Sequence, residues 1–144
     1  MRVYGRRRDF PFDRALLVRA ARAAGPLAGP VEIHVVGDEE IRAVNREHLG
    51  HDWATDVCTF PMEEPQLWGE IVVSAETAAR EARRRGVPAA REIALYVIHG
   101  VLHLRGLDDR SRADRLKMRG AERLALSRVF ANKKSGPRPG RARS

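Results

Sequence analysis

The 144-residue sequence has one cysteine, few aromatic residues (6%) and no long uninterrupted apolar run. Cys58 has no partner for an internal disulfide, and its apolar neighbours indicate a buried side chain rather than a nucleophile. The most apolar stretch, residues 93–104, is shorter than the about 18 residues that span a bilayer. Because no apolar segment follows the early arginines, we see no secretory signal and expect a soluble, cytoplasmic protein.

Positive charge is concentrated at the two ends of the chain. The formal net charge is +8. Residues 1–8 contribute four arginines and residues 133–144 contribute five basic side chains, so residues 9–132 carry a net charge of −1. Basic ends of this kind favour polyanions such as nucleic acid through counterion release, or serve only to keep the protein soluble.

The hydrophobic pattern predicts one α+β domain over residues 1–131, followed by a basic, disordered tail at 132–144. An apolar content of 43% is enough for a single core. The strands are expected at residues 1–4, 31–36, 56–60 and 69–74, with a loop at 61–65. We expect a small, mixed four-stranded sheet that packs with about five helices.

Capping residues and glycines predict where the helices begin and end. The predicted helix N-caps are Asp13, Asp38, Ser74 and Ser111. Gly50 and Gly86 are expected to end the second and third helices. The fourth and most apolar helix covers residues 90–105. The last helix should end near Phe130, and its predicted apolar side includes Leu116, Ala121, Leu124 and Val129.

The most informative stretch, HGVLHLRGLDD, begins at His99 on the central apolar helix. His99 and His103 are four residues apart, so their rings lie on one face of that helix. Gly106 can end the helix in a left-handed conformation, and the returning chain would bring Asp108 or Asp109 towards the imidazoles. Two nitrogen ligands and one carboxylate leave an open coordination position, which is typical of catalytic metal sites. The alternative is a pair of core histidines with satisfied hydrogen bonds.

The same stretch resembles the signature His-Gly-x-Leu-His-Leu-x-Gly-x-Asp-His of the bacterial YbeY family, which comprises single-strand-specific, metal-dependent endoribonucleases also described as rRNA maturation factors. Residues 99–108 match every defined position. The resemblance extends from about Val31 to Val129. Supporting matches are Thr55-Asp56-Val57, Phe60-Pro61, Gly69-Glu70-Ile71 leading into Ser74, and Glu92.

The resemblance implies cleavage of single-stranded RNA, maturation of the 3′ end of small-subunit rRNA and ribosome quality control, with the small ribosomal subunit as partner. It implies a metal held by His99, His103 and Asp109, with Zn²⁺ as the ion and Mn²⁺ or another divalent ion as the alternative. Three positions depart from the family pattern. Asp109 stands where the family has a third histidine, Leu49 where an arginine is common, and Glu70 where an aspartate is usual.

The sequence identifies no clear general base. Glu70 and Asp56 are candidates, and structural roles are the alternative for both. Arg46, His48 or His51 could replace the arginine that is absent at Leu49. The candidate nucleic-acid-binding residues are Arg46, His51, Lys133 and Lys134.

Three other functions fit parts of the pattern. The His-x3-His-x5-Asp spacing is also typical of metallopeptidases, but Gly100 occupies the position of their general-base glutamate. Two histidines and a carboxylate could also serve a non-haem iron oxygenase, a chemistry more common in β-barrels. The non-enzymatic alternative is a ribosome assembly factor with a structural metal.

Overall fold

The computed structural model describes residues 1–6, 8–50 and 55–134, with side chains as far as residue 131. The strands are β1 (Arg2–Tyr4), β2 (Val31–Val36), β3 (Val57–Glu64) and β4 (Leu67–Ser74). The helices are α1 (Arg14–Ala23), α2 (Asp38–Leu49), α3 (Ala75–Arg85), α4 (Ala89–Leu104) and α5 (Arg112–Lys134). This confirms the predicted α+β fold. Within these ranges, no helix combines the length and the apolarity needed to cross a bilayer.

The four strands form one mixed sheet in the order β1-β2-β4-β3. Strands β1, β2 and β4 are parallel, and β3 pairs antiparallel with β4. Alternate residues of β2 face the core, so Val31, Ile33 and Val35 are buried. The two central strands, β2 and β4, therefore form the rigid support for the helices.

Helix α4 is the central apolar helix, and it packs tightly on one face of the sheet. Ile93, Val97 and Val101 are buried, as predicted. A Cβ atom at Gly100 would lie 2.8 Å from Cγ2 of Ile71 on β4, so only glycine permits this approach. The helix that carries the histidines is thus held directly against a central strand.

Most predicted helix boundaries are confirmed. The Asp13 carboxylate accepts from the Leu16 amide at 3.3 Å, and the Ser74 hydroxyl accepts from the Thr77 amide at 3.1 Å. Ser111 likewise caps α5. The predicted left-handed end of α4 is also present, because Gly106 has a φ of 100°.

Asp38 is not the N-cap of α2, which corrects the prediction. Gly37 is the N-cap, and Asp38 is the first residue of the helix. The Asp38 carboxylate instead accepts hydrogen bonds from the hydroxyls of Ser74 and Thr77, both at 2.7 Å, and from Arg80. It is drawn away from its own helix because the N-cap of α3, Ser74, and two residues within α3 offer three donors, and it ties α2 to α3.

The predicted loop at residues 61–65 is wrong, because β3 continues to Glu64 and forms a hairpin with β4. Pro61 pairs with Gly69, and the register shifts between Pro61 and Glu64. A proline is tolerated here because β3 is an edge strand. A residue on such a strand can lack an amide hydrogen without losing a hydrogen bond to a neighbouring strand.

The last helix also differs from its prediction. Helix α5 runs to Lys134, past the predicted end near Phe130, and the rest of the predicted tail lies outside the described residues. Leu116 and Leu124 are 56% and 54% exposed, so they do not belong to its buried side. The buried residues of α5 are Met118, Ala125 and Leu126. The helix carries apolar residues on two faces, and packing against α1 and α4 selects only one of them.

Candidate metal centre and active site

A cavity of about 400 Å³ is bordered by residues of α4, α5 and the start of β3. His99 and Tyr96 of α4 line it. Its acidic lining residues are Asp56, Glu92, Asp109 and Glu122. Its basic lining residues are Arg85, Arg115 and Arg119. The cavity therefore combines one imidazole with charges of both signs, a composition suited to a cation and to the anions that accompany it.

His99 lies between two carboxylates. Its Nδ1 nitrogen is 2.7 Å from Oε2 of Glu122, and its Nε2 nitrogen is 3.9 Å from Oδ2 of Asp109. Glu122 is mostly buried, whereas half of the Asp109 side chain is exposed. The chain turns at Gly106, as predicted, and this return brings Asp109 to the end of α4.

The charges around His99 favour its protonated form. The hydrogen bond to Glu122 raises the pKa of His99 above its ordinary value, and the negative charges of Asp109 and Asp56 add to this effect. Burial acts in the opposite direction but is outweighed. The same negative charges would stabilise a metal cation, which would bind Nε2 in place of its proton.

The donors of His99 and Asp109 fit a shared divalent ion. When Nδ1–H donates to Glu122, the lone pair of Nε2 is free to face Asp109. Carboxylate–histidine pairs of this type orient the imidazole in metal sites. Two ligands that each lie about 2.0–2.2 Å from a zinc ion are at most about 4.3 Å apart. The observed 3.9 Å is within that limit but longer than the about 3.3–3.6 Å of a tetrahedral site, so the two side chains would have to approach by a few tenths of an ångström to share a tetrahedral ion.

His103 is placed differently from His99. It lies on the exposed side of the end of α4 and does not line the cavity. Within the described residues, His99, His103 and Asp109 do not bring their ligand atoms within 4.8 Å of one another. The structure therefore brings two of the three predicted ligands together, and His103 as the third stays a prediction.

The two candidate bases lie on different faces of the sheet. Asp56 lines the cavity, and its Oδ1 accepts from the Val57 amide at 2.8 Å. Glu70 faces away from it, because side chains alternate along a strand and the next residue, Ile71, packs under α4. Glu70 lies instead beside Glu32 and His34 on the outer face of the sheet. Of the two, only Asp56 is brought to His99.

The predicted RNA-binding residues are away from the cavity or outside the described region. Arg46 is exposed on α2 and does not line the cavity. His51 lies outside the described residues, as do the side chains of Lys133 and Lys134. Leu49 is 47% exposed and also does not line the cavity.

Sequence reasoning missed the contributions of α3 and α5. Glu122 on α5 contacts His99, and Arg85 at the end of α3 lies 3.4 Å from the buried carboxylate of Glu92. The sequence contains no signal that pairs these helices. Glu92 itself was identified from the sequence as a match to the family pattern, but its ion pair with Arg85 was not.

Glu92 and Tyr96 form the floor of the cavity. They are 1% and 4% exposed. In the described part of the chain Oε2 of Glu92 has the ion pair with Arg85 but no hydrogen bond, and the Tyr96 hydroxyl has no hydrogen-bond partner. Burial, followed by the negative charge of Glu92, raises the pKa of Tyr96 well above its ordinary value. Tyr96 therefore stays protonated and offers a hydrogen-bond donor at the cavity.

Comparison with known proteins identifies relatives along most of the chain. The family model described as Endoribonuclease YbeY matches residues 15–129. An Endoribonuclease YbeY of Anaeromyxobacter sp. (strain Fw109-5) is 44% identical over 112 residues, which cover 73% of this chain and 58% of that protein. The Endoribonuclease YbeY of Rhodopirellula baltica is 40% identical over 116 residues, 78% of this chain and 60% of that protein.

A solved structure supports the same relationship. The solution structure of TM1509 from Thermotoga maritima superposes with a TM-score of 0.63 at 27% identity, and the match covers 96% of this chain and 97% of that one. The chain spans about three fifths of the length of the two curated relatives above. The matched region includes the whole of α4 and the cavity residues on α5, and the chain belongs to the YbeY family.

Proposed function

We propose that this chain is a metal-dependent endoribonuclease that cleaves single-stranded RNA. Its proposed substrate is rRNA, and its role is maturation of the 3′ end of small-subunit rRNA and ribosome quality control in the cytoplasm. The small ribosomal subunit is the proposed partner. One observation carries the proposal: His99, held by Glu122, faces Asp109 in a cavity that three arginines line.

His99 and Asp109 are the residues that would hold the metal, with His103 as the proposed third ligand. Zn²⁺ suits imidazole nitrogen and carboxylate oxygen together, and Mn²⁺ becomes more competitive where a carboxylate replaces an imidazole. A bound divalent ion would polarise a phosphodiester oxygen and lower the pKa of a bound water. Glu122 supports this role because it holds the imidazole in one orientation.

The arginines of the cavity are suited to bind the RNA backbone. Arg115 and Arg119 lie on successive turns of α5 and both line the cavity beside His99. Guanidinium groups bind phosphate oxygens through paired hydrogen bonds. They supply positive charge beside the site. The family often has an arginine at the position of Leu49, and the arginines of the cavity would replace its charge. This is why the leucine there does not argue against catalysis.

Two further residues are placed to manage protons. Asp56 lines the cavity as a carboxylate that can accept a proton from an attacking water. Tyr96 keeps its proton and can donate a hydrogen bond to a phosphate oxygen. A cavity of about 400 Å³ suits a nucleotide that has left the stack, which supports single-stranded RNA as the substrate.

Peptidase activity is disfavoured by the packing of α4. A metallopeptidase of this spacing needs a glutamate at the position of Gly100. That position faces Ile71 at a distance that leaves no room for a side chain. No substitution at this site could deliver a carboxylate to the metal ligands without displacing the helix.

The proposal is tested with purified protein, Zn²⁺ or Mn²⁺, and an RNA fragment from the 3′ end of small-subunit rRNA. We expect cleavage of the single strand and not of the same fragment annealed to its complement. Chelation should abolish cleavage, and added metal should restore it. A His99→Ala variant purified in parallel controls for contaminating nucleases.

Two results would contradict the proposal. Equal cleavage by the wild type and by His99→Ala would assign the activity to a contaminant. RNA binding with no metal-dependent cleavage would favour the ribosome assembly factor instead.

A further inference from the structure

The outer face of the sheet, opposite α4, carries a second group of metal-ligand side chains. Glu32 and His34 lie on β2, and Glu70 lies on β4. One ligand atom from each of the three lies within 4.8 Å of the other two. We refer to these three residues as the outer cluster. It uses none of the residues that line the cavity of His99.

The sheet holds the outer cluster in a fixed geometry. Glu32 and Glu70 are directly opposite each other on adjacent parallel strands, and His34 is two residues further along the same face. The ring of Tyr4 on β1 stacks on the ring of His34 with a centroid distance of 4.9 Å. The three side chains are 25–31% exposed, so they are partly shielded yet reachable by an ion.

The distances within the outer cluster are long for hydrogen bonds and suit ligands of one metal ion. Nε2 of His34 lies 3.4 Å from Oε1 of Glu32 and 3.4 Å from Oε2 of Glu70. The contact with Glu32 is a long hydrogen bond, whereas charge-assisted hydrogen bonds are usually about 2.7–2.9 Å. Two ligands of a tetrahedral zinc ion lie about 3.3–3.6 Å apart when each is about 2.0–2.2 Å from the metal.

The negative charge of the outer cluster also favours a bound cation. Like charges directly opposite each other on neighbouring strands destabilise a sheet. Arg2 is next to Glu32 in the register of β1 and offsets one negative charge. With His34 neutral, the two carboxylates and Arg2 leave a net charge of −1 on this face, which attracts a cation.

We propose that Glu32, His34 and Glu70 bind a Zn²⁺ ion at a site separate from that of His99. Three protein ligands leave one position for water. His34 and Glu70 also border a neighbouring cavity of about 280 Å³, which provides room for that water. The ion joins β2 to β4, so its binding stabilises the centre of the sheet.

Zinc titration of His99→Ala by isothermal calorimetry tests this site, because that variant lacks the proposed active-site ligand. We expect one bound Zn²⁺ in His99→Ala and at least a tenfold weaker affinity after adding Glu70→Gln or His34→Ala. Adding Glu63→Gln, an exposed carboxylate on β3, should change nothing. In thermal unfolding, Zn²⁺ should raise the Tm of His99→Ala and not that of the Glu70→Gln double variant.

The absence of bound zinc in His99→Ala would overturn this inference. Equal affinities with and without the Glu70→Gln and His34→Ala changes would also overturn it. Circular dichroism establishes that each variant is folded, and Glu70→Gln retains the shape of the side chain it replaces. Because RNA cleavage is not part of the readout, failure here is distinguishable from failure of the proposed nuclease function.

Discussion

Nδ1 of His99 lies 2.7 Å from Oε2 of Glu122, and this contact joins α4 to α5 at the wall of the cavity. The partner comes from the next helix, 23 residues further along the chain. It leaves the other ring nitrogen facing Asp109. The imidazole is therefore oriented by one carboxylate and directed at another, an arrangement that prepares it to bind a cation.

Glu122→Gln should weaken metal binding at the site of His99. The oxygen of the glutamine side chain can still accept a hydrogen bond from Nδ1–H of His99. The substitution nevertheless removes the negative charge that makes the imidazole a stronger metal ligand. We expect a roughly 10–100-fold loss of affinity, as is usual for such supporting carboxylates. Calorimetric titration with Zn²⁺ measures it, with Glu47→Gln on the exposed side of α2 as the matched control. An unchanged Kd in Glu122→Gln would contradict the orienting role.

Gly100→Ala should destabilise the protein, whereas Gly120→Ala should stabilise it. The new Cβ at position 100 would lie 2.8 Å from a side chain that is completely buried, and overpacking of this kind costs about 1–3 kcal/mol. At position 120 nothing lies within 4 Å, and alanine is favoured over glycine in a helix by about 1 kcal/mol. Urea denaturation of both variants measures the difference. The account fails if Gly100→Ala is as stable as Gly120→Ala.

The free energy of unfolding should fall at low pH because Asp38 becomes protonated. Burial disfavours its charge, but the hydrogen bonds from Arg80, Ser74 and Thr77 outweigh burial and lower the pKa of Asp38. A carboxylate whose pKa is lower in the folded protein than in the unfolded chain stabilises the fold at pH values above the unfolded pKa of about 4. This stabilisation is lost as the pH falls through the folded pKa. Asp38→Asn should therefore reduce the free energy of unfolding by about 1–2 kcal/mol at pH 7.

The difference between wild type and Asp38→Asn should shrink as pH falls below about 4 and level off only below the lowered folded pKa of Asp38, where both side chains are neutral. Denaturation at a series of pH values measures it, with the exposed Asp9→Asn as the control. A constant difference across the whole pH range would show that the carboxylate charge is not the cause.

Arg119→Ala should weaken RNA binding, and Arg123→Ala should not. Both arginines are exposed on α5, but only Arg119 lines the cavity of His99. Loss of one phosphate contact to a single strand should lower the slope of log affinity against log salt by about 0.7. Fluorescence anisotropy with a labelled single strand at several salt concentrations gives this slope. Equal slopes for the two variants would show that Arg119 does not contact the RNA backbone.

The sequence predicted those parts of the fold that depend on local chemistry. Ser74 and Ser111 cap helices as expected, because an N-cap hydrogen bond joins residues three positions apart. Gly106 ends α4 as expected, because its backbone freedom is a property of the residue itself. The apolar stripe of α4 also identified the buried face of that helix correctly.

Predictions failed where tertiary contacts compete with local ones. Asp38 is a residue type that often serves as an N-cap, yet it accepts hydrogen bonds from Ser74 and Thr77 at the start of α3, which no local pattern reveals. Leu116 and Leu124 are apolar but exposed, because α5 packs along its other face. Of the site, His99 and Asp109 were predicted to lie together, but the contact with Glu122 depends on how two helices pack.

The metal content of the wild type beside that of Asp109→Ala tests the central claim most directly. Both proteins are loaded with Zn²⁺, freed of excess ion by gel filtration and analysed by inductively coupled plasma mass spectrometry. If His99 and Asp109 share an ion, Asp109→Ala should contain one equivalent less than the wild type, and Asp109→His should regain it. Equal zinc in the wild type and in Asp109→Ala would contradict the account.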